Sequence, residues 1–186
     1  MAEGCSRFLG LFPIRNKQIK LICTSFFALA MSFAVWSTEA GDVAPAWRGT
    51  DIDGREVVFP ETDSGVTTVL VFWATWCPYC QAFMPNLAAI YEDYADRGVR
   101  IVAVNTKERG QGDPAAYMRD RGYPFVSVMD GDSIAEQYAV RFIPGLMIVD
   151  QNGKVIYRRK STDLPAGRKI AEFWEGEVRA VLEKEL

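Results

Sequence analysis

Apolar and polar positions alternate along this chain in blocks that predict strands and helices in turn. Residues 66–73 form a continuous β-branched and aromatic run, which is typical of a strand buried on both faces of a sheet. Shorter apolar runs predict further strands at residues 56–59, 99–105, 125–129, 146–149 and 155–158. The Gln-Asn-Gly segment at 151–153 separates the last two strands and predicts a hairpin turn between them.

Helical spacing of apolar residues marks the segments between these strands. The predicted helices span residues 79–96, 113–122, 133–138 and 168–184. Pro85 lies inside the first of them and is expected to kink it, because proline removes a backbone hydrogen bond. The alternation of strands and helices predicts an α/β domain with parallel central strands, and the final hairpin makes its sheet mixed.

The first forty residues follow a different pattern. A basic flank that ends at Lys20 precedes an uncharged apolar run over residues 21–36, and the small residues Thr38 and Ala40 follow it. The run is at the upper end of a signal h-region, ~7–15 residues, and is shorter than the ~20 residues of a membrane-spanning helix. We therefore expect residues 1–40 to be a cleaved signal peptide or, as the alternative, an N-terminal membrane anchor, with the domain at residues 41–186.

Composition excludes several classes of function. The 186 residues suit one domain, and 49% hydrophobic with 24% charged residues is a globular composition. The net charge of −3 comes without a basic stripe, so we expect no nucleic-acid partner. The chain has no histidine, which removes imidazole as a base, nucleophile or metal ligand.

One cysteine pair supplies the candidate catalytic residues. Two of the four cysteines, Cys5 and Cys23, lie in the predicted leader, which leaves Cys77 and Cys80 in the domain. The pair follows the buried strand and opens a helix, so Cys77 lies at a helix N-terminus, where free N–H groups favour an anion. Such a position can lower a cysteine pKa from ~8.5 into the range ~3.5–7.5, and a second thiol one turn on can resolve a mixed disulfide.

Other uses of a CxxC pair fit this sequence less well. A structural zinc site needs a second pair or histidines, and haem attachment needs a histidine at position 81, which is glutamine. A purely structural disulfide stays open as an alternative. The placement between a strand and a helix favours catalysis over it.

Four further features accompany the cysteine pair. Phe-Trp-Ala-Thr-Trp directly precedes it, Pro85 lies in the helix after it, Val-Ala-Val-Asn ends a strand, and Ile143-Pro144 precedes a late strand. With them the chain resembles the thioredoxin superfamily, and it is similar to the exported TlpA/ResA/DsbE-like group over about residues 43–184. The resemblance implies a thioredoxin-like fold, with a central mixed sheet flanked by helices and an extra N-terminal β element. It also implies that Pro144 is cis, beside the active site.

The same resemblance implies an activity and the residues that carry it. Cys77 is expected to be the attacking thiolate and Cys80 the resolving thiol of an exported protein thiol-disulfide oxidoreductase. Substrate is expected to contact five neighbouring residues: Trp76, Pro78, Tyr79, Ile143 and Pro144. No metal and no cofactor are expected beyond the redox-active disulfide Cys77–Cys80.

Partners follow from this activity. We expect exported cysteine-containing proteins as substrates, with apo-cytochromes c among them, and a membrane thiol-disulfide electron donor as the source of electrons for a reductase. A disulfide-forming oxidant is the first alternative. The second is a copper(I)-binding chaperone of thioredoxin fold, because soft thiolates select Cu(I).

The chain departs from its relatives at three positions. Val71 occupies the place of a buried aspartate in thioredoxins, and Phe83 that of a glutamate in ResA-like reductases. We expect a reduction potential above that of thioredoxin, because neither acid is present to oppose a Cys77 thiolate. Gly145 replaces the usual threonine after the proline and is expected to open the surface on which partner chains lie.

Three neighbouring features are given structural rather than chemical roles. Trp73 and Met147 are expected to pack in the core. Residues 107–109, Lys-Glu-Arg, are expected to form a solvated loop tip.

Overall fold

The computed structural model describes residues 38–61, 65–161, 163 and 166–186. Its strands are β1 (Trp47–Thr50), β2 (Glu56–Phe59), β3 (Thr67–Trp73), β4 (Val99–Asn105), β5 (Val126–Val128), β6 (Gly145–Val149) and β7 (Val155–Arg158). Its helices are α1 (Pro78–Tyr94), α2 (Pro114–Arg121), α3 (Asp132–Gln137) and α4 (Ile170–Glu185), with a 3₁₀ turn at Ala95–Arg97. Of the leader predicted over residues 1–40, all but residues 38–40 lie outside the described residues.

Five of the strands form one mixed sheet in the order β5-β4-β3-β6-β7. The central strand β3 is parallel to β4 and antiparallel to β6, and the hairpin predicted at residues 151–153 joins β6 to β7. β1 and β2 form a separate antiparallel pair. The mixed sheet and the extra N-terminal β element are thus confirmed, although the strand over Trp47–Thr50 was not predicted individually.

Side chains of β3 alternate between two cores, one on each face of the sheet. Val69, Val71 and Trp73 point to the face covered by α1 and α4, and Leu70 and Phe72 point to the face that packs against α3 and the β1–β2 pair. All seven residues of β3 are buried, as the continuous apolar run predicts. Trp73 and Met147 are both core residues, as expected.

The predicted helices are confirmed within a few residues at each end. Asp113 caps α2 by accepting a 2.8 Å hydrogen bond from the Ala116 amide, and Gly122 ends that helix with a positive φ of 62°. Pro85 lies inside α1, as its sequence position requires. Among the described residues, no helix combines the length and the apolar character that crossing a membrane requires.

The register of the sheet brings two loops together at one end. β3 ends at Trp73, and after four intervening residues the chain enters α1 at Pro78. β6 begins at Gly145, which pairs with Phe72, so Pro144 lies beside the end of β3. The segment that leads to the cysteine pair and the Ile143-Pro144 segment therefore lie at the same end of the sheet.

Candidate active site

The cysteine pair opens helix α1. Cys77 is the N-cap residue, Pro78 occupies the first turn, and the Cys77 Sγ accepts a 3.1 Å hydrogen bond from the Cys80 amide. The two cysteines form a disulfide with a Cα–Cα distance of 5.2 Å. A sulfur at this cap faces free amide N–H groups, and the first turn of α1 carries no acidic residue to oppose a negative charge. The environment thus favours a thiolate at Cys77 once the disulfide is reduced.

Exposure does not distinguish the two cysteines in the disulfide state. Cys77 is 3% exposed and Cys80 is 1% exposed. Both cysteines are therefore buried. Any difference in their reactivity must therefore come from the helix cap, or from opening of the pair on reduction, and not from exposure in the oxidised form.

The loop between β4 and α2, residues 106–112, covers the segment before the cysteines. The Trp76 indole Nε1 donates a 2.7 Å hydrogen bond to the Lys107 carbonyl oxygen. The Arg109 guanidinium carbon lies 3.5 Å from the centroid of the Trp76 ring, a cation–π contact. Lys107 and Arg109 are exposed, as predicted for a solvated tip. Glu108 is half-buried, however, and the loop also contacts the active-site segment, which the prediction did not include.

Glu108 anchors that loop to the backbone just before the motif. Its Oε1 accepts 2.7 Å hydrogen bonds from the Thr75 amide and from the Asn105 side-chain amide. Its Oε2 accepts a 2.7 Å hydrogen bond from the Thr75 hydroxyl. Sequence reasoning missed this carboxylate. A signal was present in Asn105, a polar residue that follows four apolar ones at the end of β4, three positions earlier.

Two further contacts fix the same loop. The Asp132 Oδ1 accepts hydrogen bonds of 2.6 Å from the Thr106 hydroxyl and 2.7 Å from the Lys107 amide. These hydrogen bonds hold the pKa of Asp132 below its usual range. Gly112 approaches Thr75 so closely that a Cβ on the glycine would meet the threonine Oγ1 at 2.2 Å. The loop therefore requires glycine at position 112.

The Ile143–Pro144 peptide bond is cis, as the resemblance implied. Ile143 packs against the core cluster that contains both cysteines. The Pro144 carbonyl oxygen accepts a hydrogen bond from the Arg159 guanidinium. A second cis bond, Phe59–Pro60, was not anticipated from the sequence.

Gly145 is buried, and core side chains lie close to it. A Cβ at this position would meet Val140 Cγ1 at 3.0 Å and the Phe72 Cβ at 3.2 Å. The absent side chain would thus point into the core on the α3 side of the sheet. Glycine at this position lets β6 pack closely on Phe72, and the expectation that it also widens the partner-binding surface stays a prediction.

The two positions at which relatives carry acids are filled by apolar side chains. Val71 and Phe83 are both buried, and the Phe83 ring packs edge-on against Trp174 with 5.5 Å between centroids. Pro78 and Tyr79, by contrast, lie on the surface, and Tyr79 is 54% exposed. Trp76 and Tyr79 directly precede Cys77 and Cys80 in the chain, and Ile143 packs against the core cluster that contains both cysteines. Contact of these residues with substrate stays a prediction.

Replacing Phe83 by glutamate is expected to lower the free energy of unfolding by about 3–5 kcal/mol at pH 7, because an aromatic contact is lost and a charge is buried. Burial would raise the pKa of the new carboxyl above its unfolded value, so the loss should shrink as the pH falls towards 4. Urea unfolding at pH 4 and pH 7 measures both effects. Phe83→Leu is the control and should lower the free energy of unfolding by less than about 1.5 kcal/mol at either pH. An unchanged stability for Phe83→Glu would contradict the packing described for this site.

Comparison with known proteins identifies the family. Residues 40–158 match the model of the AhpC/TSA family, which is more than half of the chain. The chain belongs to the AhpC/TSA family. Among curated relatives, this AhpC/TSA protein is 33% identical over 135 residues to the thiol-disulfide oxidoreductase ResA of Geobacillus thermodenitrificans, covering 72% of this chain and 74% of the relative. It is 29% identical over 137 residues to ResA of Halalkalibacterium halodurans, covering 73% of this chain and 76% of the relative.

Solved structures are similar to the same region. A putative thiol:disulfide interchange protein DsbE from Chlorobium tepidum is 27% identical, with a TM-score of 0.65, covering 78% of this chain and 99% of that one. An uncharacterised conserved protein from Geobacillus kaustophilus is 25% identical, with a TM-score of 0.66, covering 80% and 84% of the two chains. The thioredoxin-like fold is thereby confirmed. With its Cys77–Cys80 disulfide, this AhpC/TSA family member is an enzyme of the thiol-disulfide oxidoreductase type.

Proposed function

We propose that this protein is an exported reductase of disulfides in other exported cysteine-containing proteins, with apo-cytochromes c among its substrates. The observation that carries the proposal is the Cys77–Cys80 disulfide at the N-terminus of α1, at the same end of the sheet as Ile143-Pro144. A membrane thiol-disulfide electron donor is proposed to return electrons to the pair. The reaction needs no cofactor besides the cysteine pair itself.

The proposed exchange has two steps. The Cys77 thiolate attacks one sulfur of the substrate disulfide, a bond forms between these two sulfurs, and the second substrate sulfur leaves as a thiolate. Cys80 then loses its proton to solvent and attacks the Cys77 sulfur, which forms the Cys77–Cys80 disulfide and releases the first substrate sulfur as a thiolate. Two electrons pass from the dithiol to the substrate.

Substrate backbone is proposed to lie across the surface between Trp76 and Pro144. Trp76 is held by its indole hydrogen bond and by Arg109, so it offers a fixed flat face. On the other side, the hydrogen bond from Arg159 holds the Pro144 carbonyl. Both walls are fixed before substrate arrives, which lowers the entropic cost of ordering the complex.

The direction of electron flow is tested by the reduction potential of the pair. We expect a value above the ~−270 mV of thioredoxin and towards the glutaredoxin range, ~−200 to −230 mV, because a helix N-terminus stabilises the Cys77 thiolate while Val71 and Phe83 supply no opposing acid. Equilibration with glutathione, monitored by tryptophan fluorescence, measures this reduction potential. A value near the ~−120 mV of DsbA would instead identify a disulfide-forming oxidant.

Export is tested with a reporter. A phosphatase fused after residue 45 is expected to be active outside the cytoplasm, because the basic flank and apolar run of the leader are those of an export signal. N-terminal sequencing of the exported protein should give a start near Gly41 if the leader is cleaved. Full-length protein in the membrane fraction would indicate the anchor instead, and an inactive cytoplasmic fusion would contradict export in either form.

A further inference from the structure

A pocket of ≈ 400 Å³ opens next to the Ile143-Pro144 segment. Its walls come from the chain before the cis bond, from the start of β6 and from the end of β7, and they include Phe142 and Gly145, the residues on either side of Ile143-Pro144. The pocket is therefore beside the surface on which substrate backbone is proposed to lie. Nothing in the exchange reaction described above uses it.

Cations dominate the lining of this pocket. Among the described residues, the lining contains four cations, Arg141, Arg158, Arg159 and Lys160, and one acid, Glu39. Glu39 lies 3.4 Å from Lys160, so that pair is close to neutral. The whole chain has a net charge of −3, so the excess of positive charge here is a local feature.

Two of the cations are fixed in the wall. The Arg158 guanidinium donates hydrogen bonds of 2.9 Å and 3.0 Å to the carbonyl oxygens of Tyr138 and Ala139. Arg159 is only 5% exposed and lies against the rings of Phe142 and Trp174, at 4.6 Å and 4.4 Å. Neither guanidinium has a carboxylate within 4.0 Å among the described residues, so these two charges are held by neutral carbonyls and rings.

The buried Arg159 stays protonated at neutral pH, and one of its N–H groups makes no hydrogen bond within the described residues. Burial lowers its pKa to about 10, which leaves the guanidinium protonated at neutral pH. Its Nε has no hydrogen-bond partner within the described part of the chain. Tyr157 and Glu177 act on this charge through space, but neither forms an ion pair or hydrogen bond with the guanidinium within the described residues. A desolvated positive charge without such a partner produces a field in the adjacent pocket, and that field attracts an anion.

Arg141 is the cation that remains available. It is exposed, and within the described residues its side chain has no hydrogen bond or ion pair. Burial lowers the pKa of Arg158, Glu39 raises it, and the positive charge of Arg141 lowers it, so Arg141 repels the fixed cation behind it. An anion between them would relieve that repulsion and bind the free guanidinium.

We propose that this pocket is a specificity subsite for an acidic side chain of the partner polypeptide, within a few residues of the cysteine that Cys77 attacks. This inference rests on the proposed function, because it needs a partner chain lying along Ile143-Pro144. An aspartate or glutamate there meets the Arg141 guanidinium directly and the fixed charges of Arg158 and Arg159 behind it. Partners with acids near the reactive cysteine are then exchanged faster than neutral ones.

The experiment compares two peptides with the full chain, reduced beforehand. Both peptides carry the same disulfide and differ only in glutamate or glutamine two residues from the attacked cysteine. We expect kcat/KM to be about three- to tenfold higher for the glutamate peptide at low salt, and the two values to converge at ~1 M salt, where the Debye length is ~3 Å. Arg141→Gln should reduce the preference at least by half, and Arg141→Glu should reverse it.

Lys154→Glu is the matched control. Lys154 is an exposed cation at the far end of the β6–β7 hairpin, so this variant makes the same change in net charge away from the pocket. It should keep the preference for the glutamate peptide. Equal rates for the two peptides in the unmodified chain, or an unchanged preference in Arg141→Glu, would overturn the subsite while leaving disulfide reduction intact. Failure to reduce either peptide would count against the proposed function itself, and the subsite would fall with it.

Discussion

Replacing Cys80 by serine is expected to stop turnover and to leave partner proteins attached to Cys77 as mixed disulfides. The variant keeps the thiolate at the N-cap of α1 but loses the thiol that releases the partner, so the first exchange step proceeds and the second does not. Turnover should fall by about 10³-fold or more, as for the loss of a nucleophile in other enzymes. Non-reducing electrophoresis of the protein with a disulfide-containing partner detects the trapped species.

Cys77→Ser is the matched control, because it also leaves one thiol of the pair. It should lose turnover equally and trap nothing, since Cys80 lies inside the helix and lacks the N-cap position that stabilises a thiolate at Cys77. In the reduced protein, alkylation at mildly acidic pH should label Cys77 well before Cys80. Equal trapping by both variants, together with equal alkylation rates, would remove the distinction between attacking and resolving cysteine.

Replacing Glu108 by alanine is expected to lower the free energy of unfolding by about 2–4 kcal/mol, because it removes three hydrogen bonds to one carboxylate and leaves the Thr75 amide without its partner. For a chain of this size, that loss corresponds to a fall in Tm of about 5–15 °C. Disulfide exchange should also slow, because Thr75 and Trp76 lose the contact that holds them against the loop. Thermal unfolding and peptide-disulfide reduction measure the two effects.

Glu92→Ala is the control for this substitution. Glu92 is an exposed acid on α1 with no hydrogen bond or ion pair in the described region, so its removal should change Tm by less than about 2 °C. A Glu108→Ala protein with unchanged Tm and unchanged exchange rate would show that the loop does not support the active-site segment.

The central strand shows how much of the fold local patterns can predict. β3 is an uninterrupted run of β-branched and aromatic residues, and its burial on both faces follows directly from that composition. Asp113 before Pro114 and Gly122 after α2 are cap signals that act over one turn, and the helix has the predicted ends. The strand at Trp47–Thr50 carries only one buried residue, so its pattern is too weak to identify it without its partner β2.

The β4–α2 loop shows where such reasoning fails. Lys, Glu and Arg in succession have the composition of a solvated turn, and charged residues are most often exposed. The Glu108 carboxylate is instead bound to Thr75, 33 residues earlier in the chain. No periodicity or cap signal connects two positions so far apart. Only the parallel pairing of β3 with β4, which aligns Trp73 with Asn105, brings their following loops into contact.

Local sequence predicts the order of strands and helices and the position of Cys77 at a helix N-terminus, because apolar spacing and cap chemistry act within a few residues. The distant groups that complete the site come together only in the folded sheet. Arg159 reaches the Pro144 carbonyl across 15 residues, and it does so because β6 and β7 pair as a hairpin whose open end lies beside β3. Such contacts depend on strand register, a property of the assembled sheet, and local sequence does not encode it.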